Sequence, residues 1–271
     1  MSDSITPDDS EYRAAVAFFM ANHHAHDAYQ VLDHAKRLAE SIENATWEVL
    51  VPEKDGVPEV GAVVLKGQAN RPAFYLSAGV HGDEPAGVLG ALSWAESALA
   101  GWEMGDVVYL PLVNPWGLEH NVRNDASDQD LNRLFGDHKH PLVEAWRELM
   151  KGRQFAAAVS LHEDYDACGC YCYEIFCEGG LRFGRGALDA AADVIPLEAC
   201  DEIEGVRAEN GLLARAGLPD FDEGVPEAFP LFTDYATTSL TFETPSEYSL
   251  YDRARAHERF LHHVVGRLRR M

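Results

Sequence analysis

Ala73-Phe74-Tyr75-Leu76-Ser77-Ala78-Gly79-Val80-His81-Gly82-Asp83-Glu84-Pro85 is the stretch on which the fold turns. Its first six residues make a short, almost wholly apolar run of the kind that forms a buried strand. The segment that follows, Ala86 to Leu99, is alanine-rich with helical periodicity. A strand that turns straight into a helix places that turn at the carboxyl edge of a sheet, where open α/β folds bind ligands. His81 and Glu84 are three residues apart with a glycine between them, a spacing that lets an imidazole and a carboxylate meet on one cation. Such a pair supplies two of the three protein ligands of a catalytic zinc. Taken alone, a His-x-x-Glu turn is more often a surface feature.

Upstream, Glu11 to Glu43 carries helical periodicity and reads as two helices broken near Asn22 to His26. His23, His24 and His26 there point in different directions on a helix, so a solvated junction is expected. Trp47 to Val51 and Val60 to Lys66 read as strands joined by the turn at Glu53 to Pro58, and Val107 to Val113 as another buried strand. The order of elements predicts a single α/β domain with a central mixed β-sheet flanked by helices. Residues 1–45 are expected to be a helical segment packed on the domain formed by 46–271.

Asn114 to Asp137 has little regular pattern, and long irregular segments inside compact domains are usually functional. Pro141 to Met150 reads as a helix and Phe155 to Leu161 as a buried strand ending at His162-Glu163-Asp164. This second histidine at a strand end lies 81 residues beyond the first, a separation that only a fold can close. Cys168, Cys170 and Cys172, with Cys177 beyond, suggest a structural metal, but the first three alternate as on a strand and are expected to be small buried hydrophobes instead. Gly184 to Ile195 reads as a helix and Glu198 to Pro230 is poorly patterned. A strand at Ser239 to Phe242 runs into Glu243, and Leu250 to Arg269 forms a last helix whose His257, His262 and His263 are packing or surface residues.

Composition narrows the function classes. Lys+Arg 22 against Asp+Glu 45 gives a net charge of -23, which repels phosphate backbones and anionic membranes, so no nucleic-acid or membrane partner is expected. An N-terminus without an apolar core and an odd number of cysteines (5) point to a cytoplasmic protein without a disulfide framework.

His81-x-x-Glu84, Arg123, Asn132-Arg133, His162 and Glu243, with the words His-Gly-Asp-Glu, Asn-Pro-x-Gly, Asp-Leu-Asn-Arg and Thr-Phe-Glu, occur in the order found in the M14-type zinc carboxypeptidases. The resemblance spans Ala73 to Pro245 and is greatest to the bacterial branch that includes murein peptide amidases. It implies a zinc carboxypeptidase-like fold and one Zn²⁺ per chain on His81, Glu84 and His162, with a fourth position for water. It also implies Glu243 as general base, Arg123 as oxyanion stabiliser, and Asn132 and Arg133 as a grip on a substrate carboxylate. The segment Phe229 to Tyr235 would line a side-chain pocket, with Phe232 and Tyr235 as aromatic lining.

Digestive carboxypeptidases place a mobile tyrosine about two dozen residues before the base. That region holds Phe221 here, and the nearest tyrosine, Tyr235, is eight residues before Glu243. The short interval between Glu84 and His162 is nearer to aspartoacylase and succinylglutamate desuccinylase. Two enzyme readings therefore stay open: a metallocarboxypeptidase or peptide amidase using a zinc-bound water, and an N-acyl amino acid deacylase. Either takes a small peptide or acyl-amino-acid substrate with a free carboxylate. A catalytically silent binding module is the third reading, although none of the expected residues is missing.

Overall fold

A computed structural model describes residues 10, 13–14, 17–18, 25–219 and 222–271 of the chain. Of the expected break at Asn22 to His26, residues 22–24 lie outside the described residues, as does Phe221, whereas Ala25 and His26 form a turn before the next helix.

In chain order the strands are β1 (Ala45–Val51), β2 (Val60–Leu65), β3 (Phe74–Ala78), β4 (Val107–Leu110), β5 (Ala157–Asp164), β6 (Tyr171–Phe176), β7 (Glu202–Ile203), β8 (Val206–Arg207), β9 (Leu212–Ala216) and β10 (Thr238–Pro245). Eight of them form one mixed sheet in the order β1-β2-β4-β3-β5-β10-β6-β9, and β7-β8 is a separate hairpin. The central pairs β4-β3, β3-β5 and β5-β10 are parallel, whereas β1, β2 and β6 add antiparallel neighbours. β10 follows β6 in the chain yet lies between β5 and β6.

Strand alternation divides the core into two faces. Phe74, Leu76, Ala78, Val159, Leu161, Leu240 and Phe242 pack on one side with α1 (Ala28–Ser41), α2 (Pro85–Ala98), α5 (Gly184–Ala191) and α6 (Leu250–Leu268). Tyr75, Val108, Leu110 and Ala158 pack on the other, with Trp146 and Met150 of α4 (Pro141–Met150) and with Leu231. Phe242 stacks on Phe260 of α6 at 4.1 Å, a pairing worth about 1 kcal/mol beyond the area it buries. On the second of these faces β5 and β10 also present Ser160, His162, Thr241 and Glu243 beside one another.

Local signals explain the helix starts. α3 (Pro115–His120) begins with Pro115 after the capping Asn114, whose Oδ1 accepts the Gly117 N–H at 2.9 Å, and it ends at Asn121 with φ 51°. α2 begins with Pro85, and the Ala86 N–H donates to Glu163 Oε1 at 2.7 Å. A buried anion at a helix N-terminus is stabilised by the partial positive charge there.

Several expectations shift. The irregular segment 114–137 contains α3 and a 3-10 turn, Leu131–Arg133, both too short for periodicity to reveal. The segment 198–230 contains the β7-β8 hairpin, β9 and a helical turn, Ala228–Pro230, that widens into Leu231–Tyr235. Cys170 and Cys172 are buried as expected, but Cys168 is exposed, because β6 starts only at Tyr171; Cys177, just past the end of that strand, is exposed as well.

Candidate metal centre and its cleft

The parallel register of β5 and β10 sets His162 level with Glu243 and Ser160 level with Thr241. Antiparallel β6 then places Tyr171 opposite Glu243 and Tyr173 opposite Thr241. One cross-strand row therefore holds His162, Glu243 and the Tyr171 phenol, and the next row on the same face holds Ser160, Thr241 and the Tyr173 phenol. His81 and Glu84 reach the same edge from the β3-α2 turn, where Gly79 takes φ 65°. At Gly82 an added Cβ would lie 1.9 Å from the Gly117 carbonyl carbon, so the turn packs backbone against backbone on α3.

His81, Glu84 and His162 are each 3% exposed, and their ligand-capable atoms lie within 4.8 Å of one another. His81 Nδ1 is 2.6 Å from Glu84 Oε1 and His162 Nδ1 is 3.0 Å from Glu84 Oε2. That second oxygen is buried and makes no aligned hydrogen bond. Two imidazole nitrogens converging on one buried, under-satisfied carboxylate suit a divalent cation. Electrostatics agree: burial alone would depress the His81 imidazole, but the Glu84 and Asp130 carboxylates outweigh it and lift it to about 9. Burial pushes Glu84 the other way, yet the two histidines hold its carboxylate well below the usual range. The cluster thus holds a proton where a cation would compensate the same charge.

Glu243 faces this group. Burial lifts its carboxyl to about 8, opposed by His162 and reinforced by the Glu84, Asp164 and Glu204 charges. A carboxyl raised towards neutrality is matched to proton exchange near pH 7.

Arg123 donates from Nε and Nη2 to Asp130 Oδ2 at 3.0 and 2.9 Å, and its Nη1 is 3.3 Å from His81 Nδ1. Asp130 also lies 3.3 Å from His81 Nε2 through Oδ1. The loop carrying Arg123 is held by Asn114, whose Nδ2 donates to the carbonyls of Arg123 and Asn124, both at 3.1 Å. Asn132 and Arg133 form the 3-10 turn capped by Asp130, which accepts the Asn132 N–H at 2.9 Å.

A cleft of about 580 Å³ joins these residues. His81, Glu84, Arg123, Asn132, Arg133, His162 and Glu243 all line it, so the structure brings together seven of the nine residues singled out from sequence. Phe232 and Tyr235 are not among its lining residues, and the Tyr235 ring packs edge-on against Trp146 at 5.4 Å. Of its segment, Phe229 lines the cleft. The far wall is phenolic: Tyr171 donates to Asp164 at 2.8 Å, and Tyr173 donates at 2.7 Å to Glu204 at the tip of the β7-β8 hairpin.

Three residues that build the site escaped the sequence reading. Asp130 sits inside the word Asp-Leu-Asn-Arg, and its Asp-x-Asn turn spacing was a usable signal. Asn114 carried a capping signature that also fixes Arg123. Glu227, buried behind Asn132, lay in the unpatterned acidic segment and gave none.

Residues 70–166 match the model of the succinylglutamate desuccinylase/aspartoacylase catalytic domain. No curated protein sequence matches the chain. Among solved structures, a candidate metallopeptidase of Shewanella baltica OS155 is 21% identical with TM-score 0.75, covering 90% of this chain and 93% of its own. Carboxypeptidase A of Helicoverpa armigera superposes at TM-score 0.63 with 14% identity, over 86% and 71% of the two chains. A succinylglutamate desuccinylase/aspartoacylase of Rhodobacter sphaeroides gives 0.56 with 18% identity, over 83% and 64%. At these identities the structures establish a carboxypeptidase-like fold.

Proposed function

We propose that this chain, which the domain match and the fold support as M14-like and near succinylglutamate desuccinylase/aspartoacylase, is a zinc-dependent hydrolase. Its bond is an amide next to a substrate carboxylate. The observation that carries this reading is the buried His81-Glu84-His162 group facing Glu243 across adjacent parallel strands. His81, Glu84 and His162 would hold one Zn²⁺, which supplies Lewis acidity and a water of lowered pKa.

The chain's own residues do the rest. Glu243 takes the proton of the attacking water and returns it to the leaving amine. Arg123 carries fixed charge beside the metal group and stabilises the oxyanion, with Asp130 holding its guanidinium in place. Asn132 and Arg133 grip the substrate carboxylate, the guanidinium as a bidentate fork. Five free cysteines suit a reducing compartment, and the proposed location is the cytoplasm. No helix among the described residues is long and apolar enough to cross a membrane.

Elemental analysis of purified protein beside His162→Ala tests the metal: about one zinc per chain is expected in the first and none in the second. Hydrolysis of short peptides beside N-acetyl and N-succinyl amino acids then tests the bond. The match over 70–166 favours the acylated amino acids as the better substrates, and faster cleavage of peptides would assign carboxypeptidase or peptide amidase activity instead. Protein that folds but binds no zinc would return the chain to the binding-module reading.

A further inference from the structure

Asn132 can serve a carboxylate only with its Nδ2 turned to the cleft, because its Oδ1 would repel an anion. What faces Oδ1 is therefore decisive, and it is the backbone N–H of Glu227 at 3.0 Å, a group that can only donate. The amide oxygen must point to it, and the NH₂ is left for the cleft. Glu227 does not reach this place by accident of a loop. Val225 N donates to the Arg133 carbonyl at 2.9 Å and Phe135 N to the Val225 carbonyl at 3.0 Å, so 225–227 runs alongside 132–135 as a short ladder.

The Glu227 side chain, 1% exposed, fixes that ladder to the sheet. Its Oε1 accepts from Tyr75 Oη at 2.5 Å, and its Oε2 accepts from Ser77 Oγ at 2.6 Å and Ser160 Oγ at 2.9 Å. Trp146 Nε1 in turn donates to Tyr75 Oη at 2.9 Å. An apolar side chain would close this part of the core without the desolvation cost of a buried carboxyl, so packing alone does not call for glutamate. Ser160 lies two residues before His162 on the same strand face, and Ser77 four before His81. The donor Nδ2 is thereby referenced to the same two strands as the metal group.

We propose that Glu227 is a positioning residue that sets the Asn132 amide for a substrate carboxylate at a fixed distance from the metal centre. This inference rests on the reading that Asn132 and Arg133 receive that carboxylate. The test is calorimetric binding of an N-acyl amino acid and its carboxamide to zinc-loaded protein made inactive by Glu243→Gln. The expected preference for the free acid falls about tenfold with Glu227→Ala, through weaker binding of the acid and unchanged binding of the carboxamide. Glu227→Gln, which keeps length and hydroxyl partners, retains the preference within about threefold. In an Asn132→Ala background, Glu227→Ala has no further effect on the preference, as residues acting in series require.

Equal weakening for both ligands, or an effect that adds to Asn132→Ala, overturns the inference and leaves Glu227 a structural residue. If Glu227→Ala gives no cooperative thermal transition, Glu227→Asp decides, with a loss of preference of about threefold or more expected. A parent protein that binds acid and carboxamide equally would refute the carboxylate grip itself. A clear preference that Glu227 variants leave untouched would refute only its positioning by Glu227.

Discussion

The two sides of the cleft are built differently. On the metal side, His162 and Glu243 stand on neighbouring parallel strands, and their separation is a matter of sheet register. On the opposite side, Arg123, Asn132 and Arg133 sit in loops, and side-chain bonds to backbone groups hold them: Asn114 to the Arg123 carbonyl, Asp130 to the Asn132 N–H, the Glu227 N–H to Asn132. Secondary structure fixes the first side, and individual polar ties fix the second. Substitutions should therefore damage chemistry on one side and position on the other.

The largest effect is expected on the sheet side. Glu243→Gln should lower kcat by about 10³-fold with zinc content unchanged, since the amide fits the strand but cannot take a proton. A variant as active as the parent would move the base elsewhere.

His257 probes the support beneath that side. It is fully buried behind β10, with Nε2 3.1 Å from Thr244 Oγ1, and burial, with Arg253 adding to it, pulls its imidazole down to about 3. The folded state thus keeps it neutral while the unfolded chain protonates it near 6.5. The stability it contributes is complete above 6.5 and is lost as pH falls towards 3, at about 1.4 kcal/mol per unit. Denaturant titrations at pH 7 and pH 4 should show this loss and should show it reduced by about one proton in His257→Gln.

Gly82 packs the His81 turn on α3, whose N-cap Asn114 holds the Arg123 loop. Gly82→Ala forces a methyl into the Gly117 backbone and should cost about 2–3 kcal/mol by chemical denaturation, with weaker zinc binding. An alanine variant of unchanged stability and zinc affinity would separate the sides. The smallest effect belongs to the loops: Asn114→Ala removes an N-cap and two ties to the Arg123 loop. It should cost about 1–2 kcal/mol of stability while lowering kcat more than it raises KM. A change in KM alone would assign Arg123 to binding instead.

The same contrast explains what the sequence made legible. Apolar runs and alternation marked β3, β5 and β10, and with them the relation of His81, His162 and Glu243, because sheet edges gather distant residues by a periodic rule. The words containing Arg123, Asn132 and Arg133 were also visible. What holds those words in place was less so: Asp130 and Asn114 act through local turn and cap bonds that a period does not reveal, and Glu227 through one hydrogen bond across 95 residues. Tyr235 shows the same gap, since its place against Trp146 depends on how a five-residue turn widens before β10.

The threading of β10 between β5 and β6 bears on how the chain assembles. Its neighbours on either side lie far earlier in sequence, so a long loop must close before the sheet is continuous, and such non-local pairing is slow. All three residues of the metal cluster precede position 163, whereas Glu243 arrives with the late strand. His81, Glu84 and His162 can thus come together on paired β3 and β5 alone, whereas Glu243 joins them only when β10 pairs with β5.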